Sequence, residues 1–346
     1  MTRNVTTARA VTVIAVILSG AALYVLRDIF TPLVMALFLL LMIDGLARGV
    51  RRYVAAPEGL AYFLAIFLTL AGFTATVWVI SDGAAGIAAE MTELPKQIDR
   101  ILLQISQEFG IPKPLTVSNI LQDFPLTEYA GRSLNVVRET ASTIVFVLIY
   151  LGFLIASRAG FSRKLENLFT TTRARSNAEE IFERVRNGVE SYLWVQTVTG
   201  LIIAVIAWGM MEAIGLKNSL FWAFVIFIVC YIPIIGGAIA GLAPPLFAVI
   251  QFDSYIPAVI LLVGLQILLF VMGNLVQPRM QSDRENIDPI AVLLALAFWG
   301  ALWGAIGMFL STPLAVLVMA ILAEFKSTRW ISVLLSADGN PYPQER

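Results

Sequence analysis

Residues 232–249 read IPIIGGAIAGLAPPLFAV, and the reading of this stretch decides the fold. It lies in strongly apolar surroundings, yet it carries Pro233, Pro244 and Pro245 together with Gly236, Gly237 and Gly241. Proline removes a backbone donor and glycine loosens the chain. In hydrocarbon every freed carbonyl must be satisfied by protein or by a water-lined cavity. Broken apolar segments of this kind point to a transport site. The plainer reading is a kinked span or a loop at the membrane edge. A second broken segment later in the chain weighs against that reading.

Outward from this stretch, the composition is that of a polytopic membrane protein. Of 346 residues 58% are hydrophobic and 14% charged, where soluble domains carry nearer a quarter charged. Mean hydropathy is +0.82. The formal net charge is zero, so no basic field suggests nucleic acid. There is no histidine, and Cys230 is the only cysteine. That removes His/Cys zinc sites, Ser-His and Cys-His nucleophile pairs, and an intrachain disulfide. With no P-loop either, the sequence implies no cofactor and no enzyme.

The apolar runs predict spans at about 10–26, 33–47, 60–80, 141–156 and 192–214, each scaled to the ~20 residues a crossing helix needs. Arg3 and Arg9 before the first run resemble a signal-peptide start, but the run continues into a second one, so an uncleaved span is expected. Arg27–Asp28 reads as a polar corner and Pro32 as the opening of the next helix. Residues 1–81 form a three-span segment. Residues 82–139 are polar, with eight acids against five bases. Leu94, Ile98, Ile101, Leu102, Ile105 and Phe109 recur there at helical spacing, predicting an amphipathic helix in a small extracytoplasmic cap or on the membrane surface. Ser176-x-x-Glu179 reads as a capping box opening the helix that enters the fifth span. Residues 140–325 form the core, and 326–346 a polar tail. Lys and Arg near the span ends place both termini in the cytoplasm.

The second broken segment is 290–323, whose arms meet at Gly304-Ala305-Ile306-Gly307. Residues 220–252 and 290–323 either all cross, or form two re-entrant hairpins around one full crossing at 256–276. Residues 220–231 number only twelve, below the ~17 a crossing helix needs, which favours hairpins. The expected fold is then all-α, with about six full spans and two oppositely oriented Gly/Pro-broken hairpins whose tips meet near the midplane. Gly236, Leu242, Pro245 and Leu246 fall without a gap on Gly304, Leu310, Pro313 and Leu314.

Polar groups in the apolar core are few and costly to leave unpaired. Gln196 and Gln266 read first as helix-to-helix hydrogen bonds. Asn274 and Gln277 share a helix face beside Pro278, and facing a pathway or a neighbouring helix are even alternatives for them. Asp288 before Pro289 reads first as an N-cap and second as an ion-handling carboxylate. Asp44 and Glu212 are the other candidate acids for ion or proton coupling. The substrate pathway is expected at Pro233, Gly236, Gly237, Asn274, Gln277, Gly304, Gly307 and Pro313.

Several of these pieces together resemble the AI-2E (autoinducer-2 exporter-like) family of bacterial membrane proteins. They are Tyr192…Gln196, Pro233-x-x-Gly236…Pro244-Pro245, Asn274-x-x-Gln277-Pro278, and Trp299-Gly300…Trp303-Gly304…Gly307…Pro313-Leu314. The resemblance covers nearly the whole chain. It implies an inner-membrane permease that assembles as a homo-oligomer, with members linked to export of autoinducer-2 and others to sodium/proton antiport. The leading expectation is a secondary exporter of a small polar molecule, with lipid and possible H+ or Na+ as partners. A monovalent cation/proton antiporter is the alternative, and a membrane scaffold or assembly factor acting through the 82–139 region is the reading from another class.

Overall fold

The computed structural model describes residues 14–15, 17–54, 57–91, 126–157, 160, 168, 171–281 and 286–340. The predicted amphipathic helix over 94–109 lies outside the described residues, as do Arg3, Arg9 and 341–346. Residues 17–25 are helical. There follow α1 (Arg27–Val54), α2 (Glu58–Met91), α3 (Leu126–Ser157), α4 (Thr172–Ala213), α5 (Ser219–Val229), α6 (Ile235–Gln251) and α7 (Ile256–Val271). A π-helical turn (Met272–Val276) leads into α8 (Gln277–Gln281), then α9 (Pro289–Glu324) and α10 (Arg329–Leu335). The described residues are helical apart from short connections and one isolated bridge between Ile287 and Ser336.

Among the described residues, Arg27–Arg51, Ala178–Ala213, Ile256–Met280 and Pro289–Glu324 are long and apolar enough to cross a membrane. Large apolar side chains stand open on these and neighbouring helices: Phe153 is 72% exposed, Phe270 64% and Leu246 62%. So much apolar surface is untenable in water and normal against lipid. The chain is therefore a membrane-embedded, multi-pass helical protein.

Three local readings are corrected. The chain pauses for one turn residue at Leu26 and restarts at Arg27, so Pro32 lies inside α1 rather than opening it. Ser176 lies inside α4, which begins a turn earlier at Thr172. Glu179 instead accepts from Arg175 Nε at 2.9 Å, an i,i+4 pair along the helix face that leaves it no capping role. Pro244 and Pro245 do not break the backbone: both are buried within α6. A proline ring collides with the carbonyl one turn earlier, and that turn is supplied by the small residues Ala240 and Gly241.

The chain divides into two compact units, with boundaries inside α1, α3 and α4. The unit of residues 47–141 and 194–282 is built around Ile203, Ala207 and Met211 of α4, Ala223 and Ile226 of α5, Ala240 and Ala248 of α6, and Leu261 and Leu265 of α7. Lipid tails are as apolar as leucine, so such a core is held by close packing, which small residues permit. Gly241 illustrates this: a Cβ there would stand 2.6 Å from Gln266 Nε2 and 3.2 Å from Leu269 Cδ1. The unit of residues 1–46, 142–193 and 283–346 holds α9 and α10, and α10 is fastened by Ser332 Oγ donating to the Met319 carbonyl at 3.0 Å.

Candidate functional site

Each unit contains one apolar segment that doubles back. In the first, α5 ends at Val229 and α6 begins at Ile235. The α5 carbonyls are collected by a tightening turn: Tyr231 N–H donates to Ile228 and Ile232 N–H to Val229. Ile234 then takes φ 65° and ψ −56°, and Ile235 N–H donates back to the Pro233 carbonyl at 2.6 Å. This is a γ-turn of the positive-φ kind, which is rare and strained. For a β-branched residue it is a true outlier, of a class that costs about 1–3 kcal/mol. Gly236, buried, follows at once. A Cβ on it would stand 1.9 Å from the Val229 carbonyl oxygen, so only glycine lets α6 start against the end of α5. Gly237 is exposed and has open space around it.

In the second segment the non-helical residue is Gly304, at φ 62° and ψ −141° within α9. In a continuous helix residues eight apart lie about 12 Å apart. Here a Cβ on Gly307 would meet the Trp299 carbonyl oxygen at 1.9 Å. The chain therefore turns sharply at Gly304, and the 36 residues of α9 are two arms rather than one straight helix. Trp303, just before the turn, donates its indole N–H to the Leu23 carbonyl at 3.3 Å and packs on Trp299 with ring centroids 4.8 Å apart. Pro313 is fully buried in the returning arm. The ungapped sequence match is corrected at the turns: Ile234 corresponds to Gly304 in taking positive φ, and Gly236 corresponds to Gly307 in meeting the preceding arm. The prolines of the returning arms match in sequence, but the turns sit in a different register.

Polar side chains converge on the first tip. Gln196 of α4 donates from Nε2 to the Cys230 carbonyl. Gln277 donates from Nε2 to Gln196 Oε1 at 3.2 Å. One residue along α4, the Thr197 hydroxyl and the Tyr231 hydroxyl share a hydrogen bond of 2.6 Å. Gln277 reaches this cluster from the end of the π-helical turn, a widened geometry that often accompanies functional sites. Every member of the cluster is neutral. Asn274, within the π turn, is exposed and donates to the Phe270 carbonyl of its own helix at 2.9 Å. Of the two amides expected to act together, one is thus joined to the tip network and the other bonds locally.

The candidate acids hold local structure. Asp288 is the N-cap of α9, its Oδ1 accepting from Ile290 N–H at 2.7 Å. Glu212 accepts from the Ser219 hydroxyl at 2.5 Å, closing the turn between α4 and α5. Asp44 is buried on α1. Among the described residues no group of three potential metal ligands comes together. Thr197, Tyr231 and Ile234 escaped the sequence reading, and Cys230 entered it only as the sole cysteine. Gln196 was visible there as an isolated amide in an apolar span, but its partner is a turn carbonyl rather than another helix's side chain alone.

A bundle of long apolar helices with open apolar faces, and with neutral polar groups gathered at one backbone turn, defines a polytopic membrane protein. The chain matches the model of the AI-2E family transporters over residues 13–327, and it belongs to that family. It is 25% identical over 317 residues to the AI-2 transport protein TqsA of Escherichia coli K12, covering 89% of this chain and 90% of that relative. A Haemophilus influenzae relative named "Putative transport protein" is 25% identical over 332 residues, covering 93% and 94% of the two chains. The family is one of permeases that act in the lipid bilayer on small-molecule substrates.

Proposed function

We propose that this protein is a secondary exporter of a small polar molecule in the bacterial inner membrane, working without ATP. The substrate is similar to that named for the Escherichia coli relative, autoinducer-2. In this reading residues 220–252 and 290–323 are re-entrant hairpins beside about six full spans, both termini are cytoplasmic, and the protein works as a homo-oligomer. The pathway runs past the unwound tips and takes in Pro233, Gly236, Gly237, Asn274, Gln277, Gly304, Gly307 and Pro313.

One observation carries the proposal. In each unit an apolar segment turns back at a non-helical residue, Ile234 or Gly304. Backbone groups freed there can be satisfied in a membrane only by protein or by a polar passage. Asp288 and Glu212 serve helix ends, so the cation/proton alternative draws no support from them.

Flux of autoinducer-2 across proteoliposomes tests the reading. Asn274→Ala and Gly304→Leu should each abolish flux while the protein still inserts. Leucine cannot adopt the φ and ψ of Gly304 without strain. Wild-type flux from both variants would sink the proposed pathway, and deletion of 82–139 without loss of flux would argue against the reading in which that region carries the function.

A further inference from the structure

We infer that Gln196 and Thr197 are positioning residues that hold the first hairpin tip in its turned form against the strain at Ile234, and that release of this hold moves the tip. The argument begins with the Cys230 carbonyl. In a continuing α-helix it would accept from the N–H of Ile234, four residues on. In the tip it accepts from the Gln196 side chain instead. The amide of Gln196 thus stands in for a backbone donor that the γ-turn has pulled away. Gln277 holds the other end of that amide by donating to Oε1, which directs the NH2 group at the carbonyl. Thr197 and Tyr231 add a second tie between the same two elements.

The tip therefore has two discrete arrangements. In one, Gln196 occupies the Cys230 carbonyl and Ile234 sits at φ 65°. In the other, Ile234 relaxes to negative φ, its own N–H recovers the Cys230 carbonyl, and Gln196 is set free. The choice of residue at 234 supports this. Glycine takes positive φ at no steric cost, and the chain uses glycine for the corresponding turn at Gly304. Isoleucine at 234 keeps the turned form under tension. Strain retained at a hinge, and held by a few hydrogen bonds, is what a switching element requires. Only the last step, that tip movement accompanies passage of solute, rests on the transport function proposed above.

The native protein carries its own probe. Cys230 is the sole cysteine and sits in the tip. The rate of its labelling by N-ethylmaleimide is measured on the full-length protein in proteoliposomes, with no solute present. Labelling after denaturation in SDS serves to normalise each variant. Gln196→Leu should speed labelling roughly tenfold, and Thr197→Val should speed it by a smaller factor in the same direction. Ile234→Gly removes the strain and should slow labelling below wild type, and flux should fall with it. The double variant Gln196→Leu/Ile234→Gly should fall between the two single ones. Generic loosening would make all of these variants faster. Unchanged labelling in Gln196→Leu and Thr197→Val, or faster labelling in Ile234→Gly, would overturn the inference. Because the labelling needs no solute, its failure is distinct from a failure of the transport reading, which shows as absent flux in the wild type.

Discussion

The carbonyl oxygen of Trp299 occupies the place where a Cβ on Gly307 would have to go, 1.9 Å from it, and Val229 stands in the same relation to Gly236. Both close approaches are backbone on backbone, so no rotamer change can relieve them. Gly236→Ala and Gly307→Ala should each destabilise the protein by about 1–3 kcal/mol, the usual cost of overpacking. Thermal unfolding in detergent measures this. Gly237→Ala, where nothing lies within 4 Å, is the matched control and should unfold as wild type does.

Gly264 shows how the same test can come out differently. A Cβ there would stand 2.0 Å from Met210 Cε. That contact is the far end of a flexible side chain, which swings aside at little cost. Gly264→Ala should therefore cost less than about 1 kcal/mol, read in the same unfolding experiment.

Gln277 and Asn274 should separate stability from transport. Gln277→Leu removes the donor to Gln196 Oε1. Hydrogen bonds between helices in a membrane are worth about 0.6 kcal/mol on average and up to about 1.7, so a loss in that range is expected. Asn274, among the described residues, bonds the Phe270 carbonyl one turn back. Asn274→Ala should leave the unfolding midpoint nearly unchanged while abolishing flux.

Thr312 carries a buried hydroxyl that finds no hydrogen-bond partner among the described residues. The neighbouring Ser311 hydroxyl donates to the Met308 carbonyl at 2.7 Å, the acceptor Thr312 would otherwise reach back to. Burying such a group unpaired costs about 1–3 kcal/mol. Thr312→Val keeps the shape and removes the orphan, so it should stabilise the protein by about 1 kcal/mol.

The segment after α10 should be sensitive to acid. The Asn286 side-chain amide and the Asn340 backbone N–H both donate to the Asp338 carboxylate, and these bonds hold it below its ordinary value of 3.8. The unfolded carboxyl takes up its proton first as pH falls. The contribution of Asp338 is therefore complete above about 3.8 and is lost as pH drops through the lowered folded value. Hydrogen exchange over residues 329–340 should rise in that acid window, and Asp338→Asn should flatten the rise.

Much of this was legible in the sequence because glycine and proline mark where a helix cannot continue. The non-helical residues Ile234 and Gly304 fall inside the breaks read at 233–237 and 304–307, and α4 runs unbroken from its charged half into its apolar half. What escaped was set by tertiary contacts. No local rule places isoleucine at positive φ, so Ile234 was invisible. Pro244 and Pro245 read as breakers because their small neighbours a turn earlier, which accommodate them, have no signature of their own. The capping box at Ser176 failed because Arg175 had first claim on Glu179. The π-helical turn before Gln277 is announced by no residue pattern. Asp288 was read correctly as a cap, since Asp-Pro before an apolar run needs only local geometry.

One last consequence follows from the length of α4. At 1.5 Å per residue its 42 residues make a rod about 60 Å long, roughly twice the thickness of a bilayer's hydrocarbon. Its first half, ruled by the ion pairs of Arg175 and Arg186 with Glu179, Glu183 and Glu190, must overhang into headgroups or water.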